Sequence, residues 1–240
     1  MILRLREALR ALAGTRCQVC GAVTGGPWLC GECAGELRPR LGGFCTGCAA
    51  LTEMDAQTPG LCGKCRTRPR PWSTAGFYGA YRGVLRDLVL GLKFGGRLAG
   101  LHLAGELLLH AHALHAARPG GLDPAPEVVA AVPVHRWRLA RRGYNQSLEL
   151  ARRVAAGLGA PMDPEALRKT RATRPQSKLK ARERLENLGG AFEARPESVR
   201  GRRVLLVDDV MTTGATLEAC CRALAAAGAA RADVLVLARD

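Results

Sequence analysis

No stretch of the 240-residue sequence is apolar for long enough to cross a membrane, since a spanning helix needs about 20 consecutive apolar residues. A chain without a membrane span is therefore expected. The stretch Met1 to Ala13 sets Arg4, Arg6 and Arg10 among Ile2, Leu5, Leu9 and Leu12. These charges interrupt the apolar core that a secretory signal peptide requires, and residues 1–14 read instead as a short amphipathic helix. With no mark of secretion, a cytoplasmic location is expected. Acidic residues are scarce, 21 against 36 Lys and Arg, for a net charge of +15. That excess favours anionic partners such as phosphates, nucleic acid or acidic protein surfaces, without choosing among them. An apolar content of 48% excludes a disordered tail, and the length suffices for one or two domains with a buried core.

Cysteine, by contrast, is plentiful. Eight of ten cysteines fall in four Cys-x-x-Cys pairs: Cys17 and Cys20, Cys30 and Cys33, Cys45 and Cys48, Cys62 and Cys65. Each pair sets two thiolates on one tight knuckle, and two knuckles complete a tetrahedral zinc site. Without secretion, metal-bound thiolates are expected over disulfides. Two structural Zn2+ ions would supply the folding energy that a small glycine-rich stretch cannot draw from a core. The segments Leu29-Cys-Gly-Glu-Cys33 and Leu61-Cys-Gly-Lys-Cys65 are alike. They favour a duplicated unit, with one ribbon on Cys17, Cys20, Cys30 and Cys33 and the next on Cys45, Cys48, Cys62 and Cys65. Interleaved pairing also fits the spacing. Prolines and arginines in Thr67 to Pro71 mark a boundary, giving a double zinc ribbon at 15–68 and a second domain at 72–240. Cys220 and Cys221 lie far away and read as small core residues.

In the second domain, Ala75 to Tyr81 and Val128 to Val134 read as strands. Val84 to Phe94, Leu98 to Ala117 and a stretch ending at Leu158 read as helices. His112 and His115 have a spacing that suits a metal but lack a third ligand, so core or surface histidines are expected. The decisive stretch is Val204 to Thr216. Val204 to Val207 suits a strand buried on both faces, with Asp208 and Asp209 following at its carboxyl end, where ligands bind in open α/β sheets. Thr212, Thr213, Gly214 and Thr216 then make a polar turn. A helix follows from near Thr216 to about Ala227, with Leu217, Cys220, Cys221 and Leu224 on its buried side and Gly228 as its cap. Backbone N–H groups at a helix start attract phosphate. Two carboxylates beside them would repel that phosphate, so they address something else on the same ligand, such as sugar hydroxyls or a metal-bound diol. The plainer alternative is a capped helix with solvated acids. A second strand end, Val134-His135-Arg136, leads into Arg138, Arg141 and Arg142, a basic run suited to pyrophosphate. Residues 136–184 hold 14 Lys and Arg against 4 Asp and Glu. Three uses fit this balance: a flap over a ligand with Arg141, Arg142 and Lys178, a track for a nucleic-acid backbone, or a solvated basic surface.

The stretch Val204 to Thr216 resembles the phosphoribosyl pyrophosphate (PRPP) signature of the type I phosphoribosyltransferases. The resemblance implies a type I phosphoribosyltransferase-like α/β fold, a mainly parallel sheet flanked by helices. Asp208 and Asp209 would be the catalytic pair on the ribose hydroxyls, and Met211, Thr212, Thr213, Gly214, Ala215 and Thr216 would cradle the phosphate. Val134, His135, Arg136, Arg141, Arg142, Tyr144, Asn145, Gln146 and Lys93 would make further ligand contacts, with Mg2+ accompanying PRPP. The cysteine pairs, Leu92-Lys-Phe94, Val132-Pro-Val-His135, Arg142-Gly-Tyr-Asn-Gln-Ser147 and Thr170 to Asn187 narrow the resemblance to the ComF family of competence-related proteins, over nearly the whole chain. That family implies a zinc ribbon ahead of the phosphoribosyltransferase-like domain and a link to the uptake and processing of transforming DNA. Transfer of phosphoribosyl from PRPP to an unidentified acceptor is the leading reading. The alternatives are a non-catalytic PRPP- or nucleotide-binding regulator, and an accessory factor gripping single-stranded DNA or a competence helicase. Purine-salvage relatives carry an acid at the position of Thr212, where it helps deprotonate the base. Thr212 has no such capacity, which speaks against purine salvage.

Overall fold

The computed structural model describes residues 15–26, 28–94, 100–134, 144–171 and 190–240. The expected helix at 1–14 lies outside the described residues, as do His135, Arg136, Arg138, Arg141, Arg142, Lys178 and most of Thr170 to Asn187. In chain order the described elements begin with a two-residue antiparallel pair, β1 (Thr15–Arg16) and β2 (Val23–Thr24), and two short helices, α1 (Gly31–Glu36) and α2 (Gly63–Thr67). Then come β3 (Ala75–Ala80), α3 (Gly83–Phe94), α4 (Gly100–Ala116), β4 (Val128–Ala131) and α5 (Gln146–Leu158). A small antiparallel pair, β5 (Leu167–Lys169) and β6 (Phe192–Ala194), precedes α6 (Pro196–Val199). The chain closes with β7 (Arg203–Met211), α7 (Ala215–Ala226) and β8 (Arg231–Arg239).

Four of these strands make one parallel sheet in the order β3-β8-β7-β4. Parallel strands covered on both faces read as continuous apolar runs, and the pleat sorts those runs between two cores. Leu205, Val207, Leu235 and Leu237 pack with Leu88, Leu92, Leu108, Leu150 and Val154 from α3, α4 and α5. Val204, Leu206, Val234 and Val236 face the other way, onto Leu217, Cys220, Cys221 and Leu224 of α7. These four α7 residues form the helix's buried side, as the sequence predicts. His112 and His115 are buried, and each ring bonds to a backbone carbonyl, Asp123 and Phe77 respectively, at 3.0 Å.

Two boundaries differ from expectation. The strand β7 does not stop at Val207; it carries Asp208 and Asp209 inside it and ends at Met211. Its neighbour β8 keeps running, so the register pairs Asp208 with Val236 and Met211 with Arg239. Backbone pairing with that neighbour overrides the polarity of the two side chains. Conversely, β4 ends at Ala131 rather than at Val134, and Val132 still donates its N–H to the Val207 carbonyl at 3.0 Å.

The cysteine-rich region is not separate from these cores. Cys17, Val19 and Cys33 pack into the core of α3, α4 and α5. Phe44 and Ala49 pack into the core under α7, with Phe44 edge-on to Phe77 at 5.1 Å between ring centroids. Among the described residues no helix is long and apolar enough to cross a membrane.

At the amino-terminal edge of the sheet, the Asp233 carboxylate accepts hydrogen bonds from Thr74 N (3.1 Å), Asp123 N (2.8 Å) and Arg231 Nε (2.9 Å). Its side chain is 2% exposed. Removing it would leave two buried backbone donors and a guanidinium without a partner. The variant Asp233→Ala is expected to lose about 3 kcal/mol of stability, read as a lower midpoint in urea unfolding. An unchanged midpoint would show that this clasp contributes nothing.

Candidate functional site

The acidic pair stands at the carboxyl-terminal edge of the sheet, where β7 lies next to β4. Asn145 explains what faces it. This residue caps α5: its Oδ1 accepts the Ser147 N–H at 3.1 Å, and its Nδ2 donates to the Val132 carbonyl at 3.3 Å. An asparagine at the N-cap satisfies a helix-start donor, and here the same side chain pins that start to the end of β4. Gln146 and Ser147 are thereby set over the acids. Gln146 Nε2 donates to Asp209 Oδ2 at 2.9 Å, and Ser147 Oγ donates to Asp208 Oδ1 at 2.7 Å. From the last turn of α3, Lys93 Nζ reaches Asp209 Oδ1 at 3.1 Å. The Tyr144 hydroxyl donates to the Leu92 carbonyl, so the end of α3 and the start of α5 are fastened together beside the pair.

Burial pushes the Asp208 carboxyl up, the adjacent Asp209 charge pushes it further, and the Ser147 and Asp209 donors offset only part, leaving it at about 7. A carboxyl in a poorly solvated place beside another charge is disfavoured in its ionised form. The consequence for stability has a definite sign. Folded Asp208 keeps its proton to about pH 7, against an ordinary 3.8, so folding takes up a proton between those values. Stability therefore falls as pH rises through that window, and the cost is fully present above it.

The turn after β7 is built as a helix start. The Met211 side chain is buried, and its carbonyl accepts from Arg239 Nη1 and Asp240 N, both at 3.0 Å. Met211 thus sits buried beneath the turn, anchored by its carbonyl to the end of β8. Thr212 and Thr213 are exposed. Gly214 is the N-cap of α7 at φ 78° and provides no side-chain cap; this left-handed conformation suits glycine. The Ala215 N–H donates to Thr213 Oγ1 at 3.4 Å, a long bond. Thr216 is half-buried in the first turn of α7, and Val134 is half-buried just past β4.

Of the ligand residues expected from sequence, Asp208, Asp209, Gln146 and Lys93 come together directly. Asn145 and Tyr144 act on backbone atoms that hold the others in place. Two residues at the site are not among the ligand residues expected from sequence. Ser147 follows Gln146 on the first turn of α5, and its adjacency was the available signal. Glu218, in the first turn of α7, is 5% exposed and takes Arg70 Nη1 at 2.9 Å; nothing in the local sequence pointed to that pairing.

The eight knuckle cysteines form two clusters, Cys17, Cys20, Cys30 and Cys33, and Cys45, Cys48, Cys62 and Cys65. The pairing is sequential. Within each cluster the sulfurs all lie within 4.8 Å of one another. Cys20 and Cys30 sulfurs are 3.7 Å apart, and those of Cys48 and Cys62 3.9 Å. A tetrahedral ion with bonds of about 2.3 Å to sulfur sets neighbouring sulfurs about 3.8 Å apart, so both donor sets fit a structural metal ion. Backbone donors are aimed at the thiols. Burial pushes Cys17 up, but N–H groups of Cys30, Cys20 and Val19 outweigh it and bring the thiol down to about 6. Burial is likewise outweighed at Cys45, which N–H groups of Cys62, Cys48 and Gly47 bring to about 7. The Mg2+ expected with PRPP gains no support from the described residues.

Residues 144–240 match the phosphoribosyl transferase domain family. That span contains Asn145, Gln146, Ser147, both aspartates and the turn at Gly214; Lys93 and the knuckle cysteines precede it. Over 224 residues the chain is 36% identical to DNA utilization protein YhgH of Escherichia coli K12, covering 89% of this chain and 97% of that protein. It is 30% identical over 225 residues to competence protein F of Haemophilus influenzae, covering 88% and 96%. The chain belongs to the ComF/YhgH family. Among solved structures, the allosteric regulatory enzyme of purine biosynthesis is similar at 25% identity and a TM-score of 0.37, over 56% of this chain and 25% of that one. In this member of the ComF/YhgH family, then, the acidic pair and helix-start turn lie in the phosphoribosyl transferase span, and the metal-fitting clusters lie ahead of it.

The electrostatic account of the acidic pair is checked by Asp208→Asn. This variant keeps an oxygen for Ser147 and removes the charge. It is expected to raise the Tm by ~5 °C at pH 8 and by only ~2 °C at pH 5, part-way through the window. A Tm at pH 8 no higher than that of the parent chain would contradict a penalised carboxylate.

Proposed function

We propose that the carboxyl-terminal edge of the sheet binds PRPP. Asp208 and Asp209 take the two ribose hydroxyls, and the 211–216 turn takes the 5′-phosphate on the N–H groups at the start of α7. One observation carries this reading: two adjacent carboxylates at the end of a central strand stand immediately ahead of a helix whose glycine N-cap has no side-chain cap. A phosphate alone would be repelled by that pair, whereas a phosphorylated diol satisfies both halves. The partners now on the acids are donors, from Gln146, Ser147 and Lys93, and sugar hydroxyls offer donors of the same kind. Mg2+, when present with PRPP, would neutralise part of the pyrophosphate charge.

The same arrangement suits phosphoribosyl transfer. As the bond from the anomeric carbon to pyrophosphate breaks, its electron pair leaves on pyrophosphate and positive charge grows on the sugar ring. The carboxylates of Asp208 and Asp209 stabilise that charge without reorganisation. The acceptor then bonds to the anomeric carbon with its own electron pair. Thr212 is exposed and carries no carboxylate, so it offers no base to deprotonate an acceptor, and purine bases are poor candidates. The relatives' names, DNA utilization protein and competence protein, support placing this chemistry in the handling of DNA. The basic balance of residues 136–184 supports a nucleic-acid partner, held by sequence-independent charge. The same residues are compatible with a regulator that binds PRPP without turnover.

We also assign zinc to both cysteine clusters, because four thiolates at tetrahedral spacing suit Zn2+. Native mass spectrometry is expected to find two zinc ions per chain, and Cys17→Ser combined with Cys20→Ser to lose one. A chain that is folded with no bound metal would remove the assignment.

Calorimetry tests the ligand. The parent chain is expected to bind PRPP, and Asp208→Asn combined with Asp209→Asn to weaken that binding at least ~100-fold, from the loss of charged acceptors to two hydroxyls. Equal affinity in the double variant sinks the site assignment. Release of pyrophosphate with a panel of bases and nucleotides then separates transfer from binding alone.

A further inference from the structure

The two cysteine clusters stand differently toward the ligand turn. Gly47 lies in the knuckle between Cys45 and Cys48, and its carbonyl accepts a 2.7 Å hydrogen bond from Trp72 Nε1. The knuckle is tight: a Cβ on Gly47 would lie 3.1 Å from Cys65 Cβ and 3.2 Å from its Sγ. The direction of the Gly47 carbonyl is therefore set by the cluster itself. Trp72 is 5% exposed, and its Cη2 lies 3.2 Å from where a Cβ on Gly214 would stand. One indole thus bonds to the knuckle with its polar edge and backs the N-cap of α7 with its apolar edge. Arg70 strengthens the same seam. Its guanidinium sits 5.7 Å from the Trp72 ring centroid and donates to Glu218 in the first turn of α7 at 2.9 Å. The cluster of Cys17 instead packs into the core on the opposite face of the sheet, through Cys17, Val19 and Cys33.

We propose that Trp72 is a positioning residue for the ligand turn, passing the geometry of the Cys45/Cys48/Cys62/Cys65 knuckle to Gly214. Ligand affinity at 211–216 then depends on that cluster and not on the other one. The physical reason lies in the turn. Thr212 and Thr213 are exposed, and Gly214 has no side chain with which to fix itself. Behind Gly214 stand the Trp72 ring, 3.2 Å from a Cβ built there, and the Met211 side chain, 3.7 Å away; the nearer of the two, the ring, is tied to the knuckle. A phosphate cradle is worth most when its donors are fixed before the ligand arrives. The inference rests on the reading of this turn as the phosphate cradle of a PRPP site.

The test uses the full-length metal-loaded chain and the variant Trp72→Phe, which keeps most of the ring and removes the bond to Gly47. Hydrogen exchange of the amides at 212–217 is expected to quicken ~10-fold, with α4 and α5 unchanged, and PRPP affinity by calorimetry to fall ~10-fold, as for one lost hydrogen bond. Metal content stays at the parent value. Trp28→Phe, near the first cluster, is expected to alter neither readout. Selective loss of metal from the second cluster by Cys45→Ser is expected to quicken the same amides, whereas Cys17→Ser is not. Parental exchange at 212–217 in Trp72→Phe overturns the proposal, as does a rise spread evenly over α4 and α5. Should the parent chain fail to bind PRPP, the ligand reading falls by itself, and the exchange data still decide whether Trp72 carries the knuckle to the turn.

Discussion

Two neighbouring carboxylates on one buried strand are a destabilising arrangement, and much of the surrounding structure answers to it. Asp209 is 5% exposed, and Asp208 is pushed up by burial and by its neighbour. Such a pair persists only where other contacts over-determine the backbone that bears it. The contacts here are the ladder with β8, which runs past both acids to Met211, and the cap of α5. Asn145 spends both ends of its amide on backbone atoms. The result is that Gln146 and Ser147 are aimed at the acids by a helix start whose position is fixed by β4. The acids, their donors and the turn at Gly214 therefore form one rigid edge rather than a set of loop residues that meet by chance.

The cysteine clusters contribute to the same edge from outside. A stretch with helices of only five or six residues and strands of two has too little core of its own, and the two four-cysteine clusters, whose spacing fits a structural metal ion, are placed to substitute for one. Yet the stretch is not a detached module. It lends Cys17, Val19 and Cys33 to one core of the sheet, and Phe44 and Ala49 to the other. Chain before and after the arginine-rich boundary is thus joined by packing on both faces. Arg70, inside that boundary, is bonded to Glu218 of α7, so the boundary itself is an anchored segment.

What the sequence disclosed was the local part of this arrangement. Cys-x-x-Cys pairs announce themselves because both ligands lie on one turn, and the likeness of the Leu29 and Leu61 segments indicated the sequential grouping. The buried side of α7 followed from the period of Leu217, Cys220, Cys221 and Leu224. The apolar run Val204 to Val207 indicates a strand that stops before the acids, whereas β7 runs on through them to Met211. Its true length is set by β8, a partner that its own residues do not reveal. The same limit hid the contacts between distant segments. Lys93 on Asp209, Trp72 on Gly47 and Asp233 at the starts of β3 and β8 are all pairings that depend on how the sheet is ordered. No spacing rule within one segment encodes them.

The occupied state of the acids also bears on how selective the edge is. Asp209 already holds a cation and an amide, and Asp208 a hydroxyl, so a ligand gains little by offering donors alone. Water offers donors too. A net gain requires that the same molecule reach a second feature, and the turn into α7 is adjacent along the chain, where on the proposed reading a phosphate would meet the positive end of a helix. On the proposed reading, a ligand spanning both would place its diol and its phosphate with one loss of translational freedom instead of two. Free ribose and free phosphate would each satisfy one half on that reading and be disfavoured by the rest. On the PRPP reading proposed above, the edge would select for a phosphorylated sugar because neither of its halves is a good site alone.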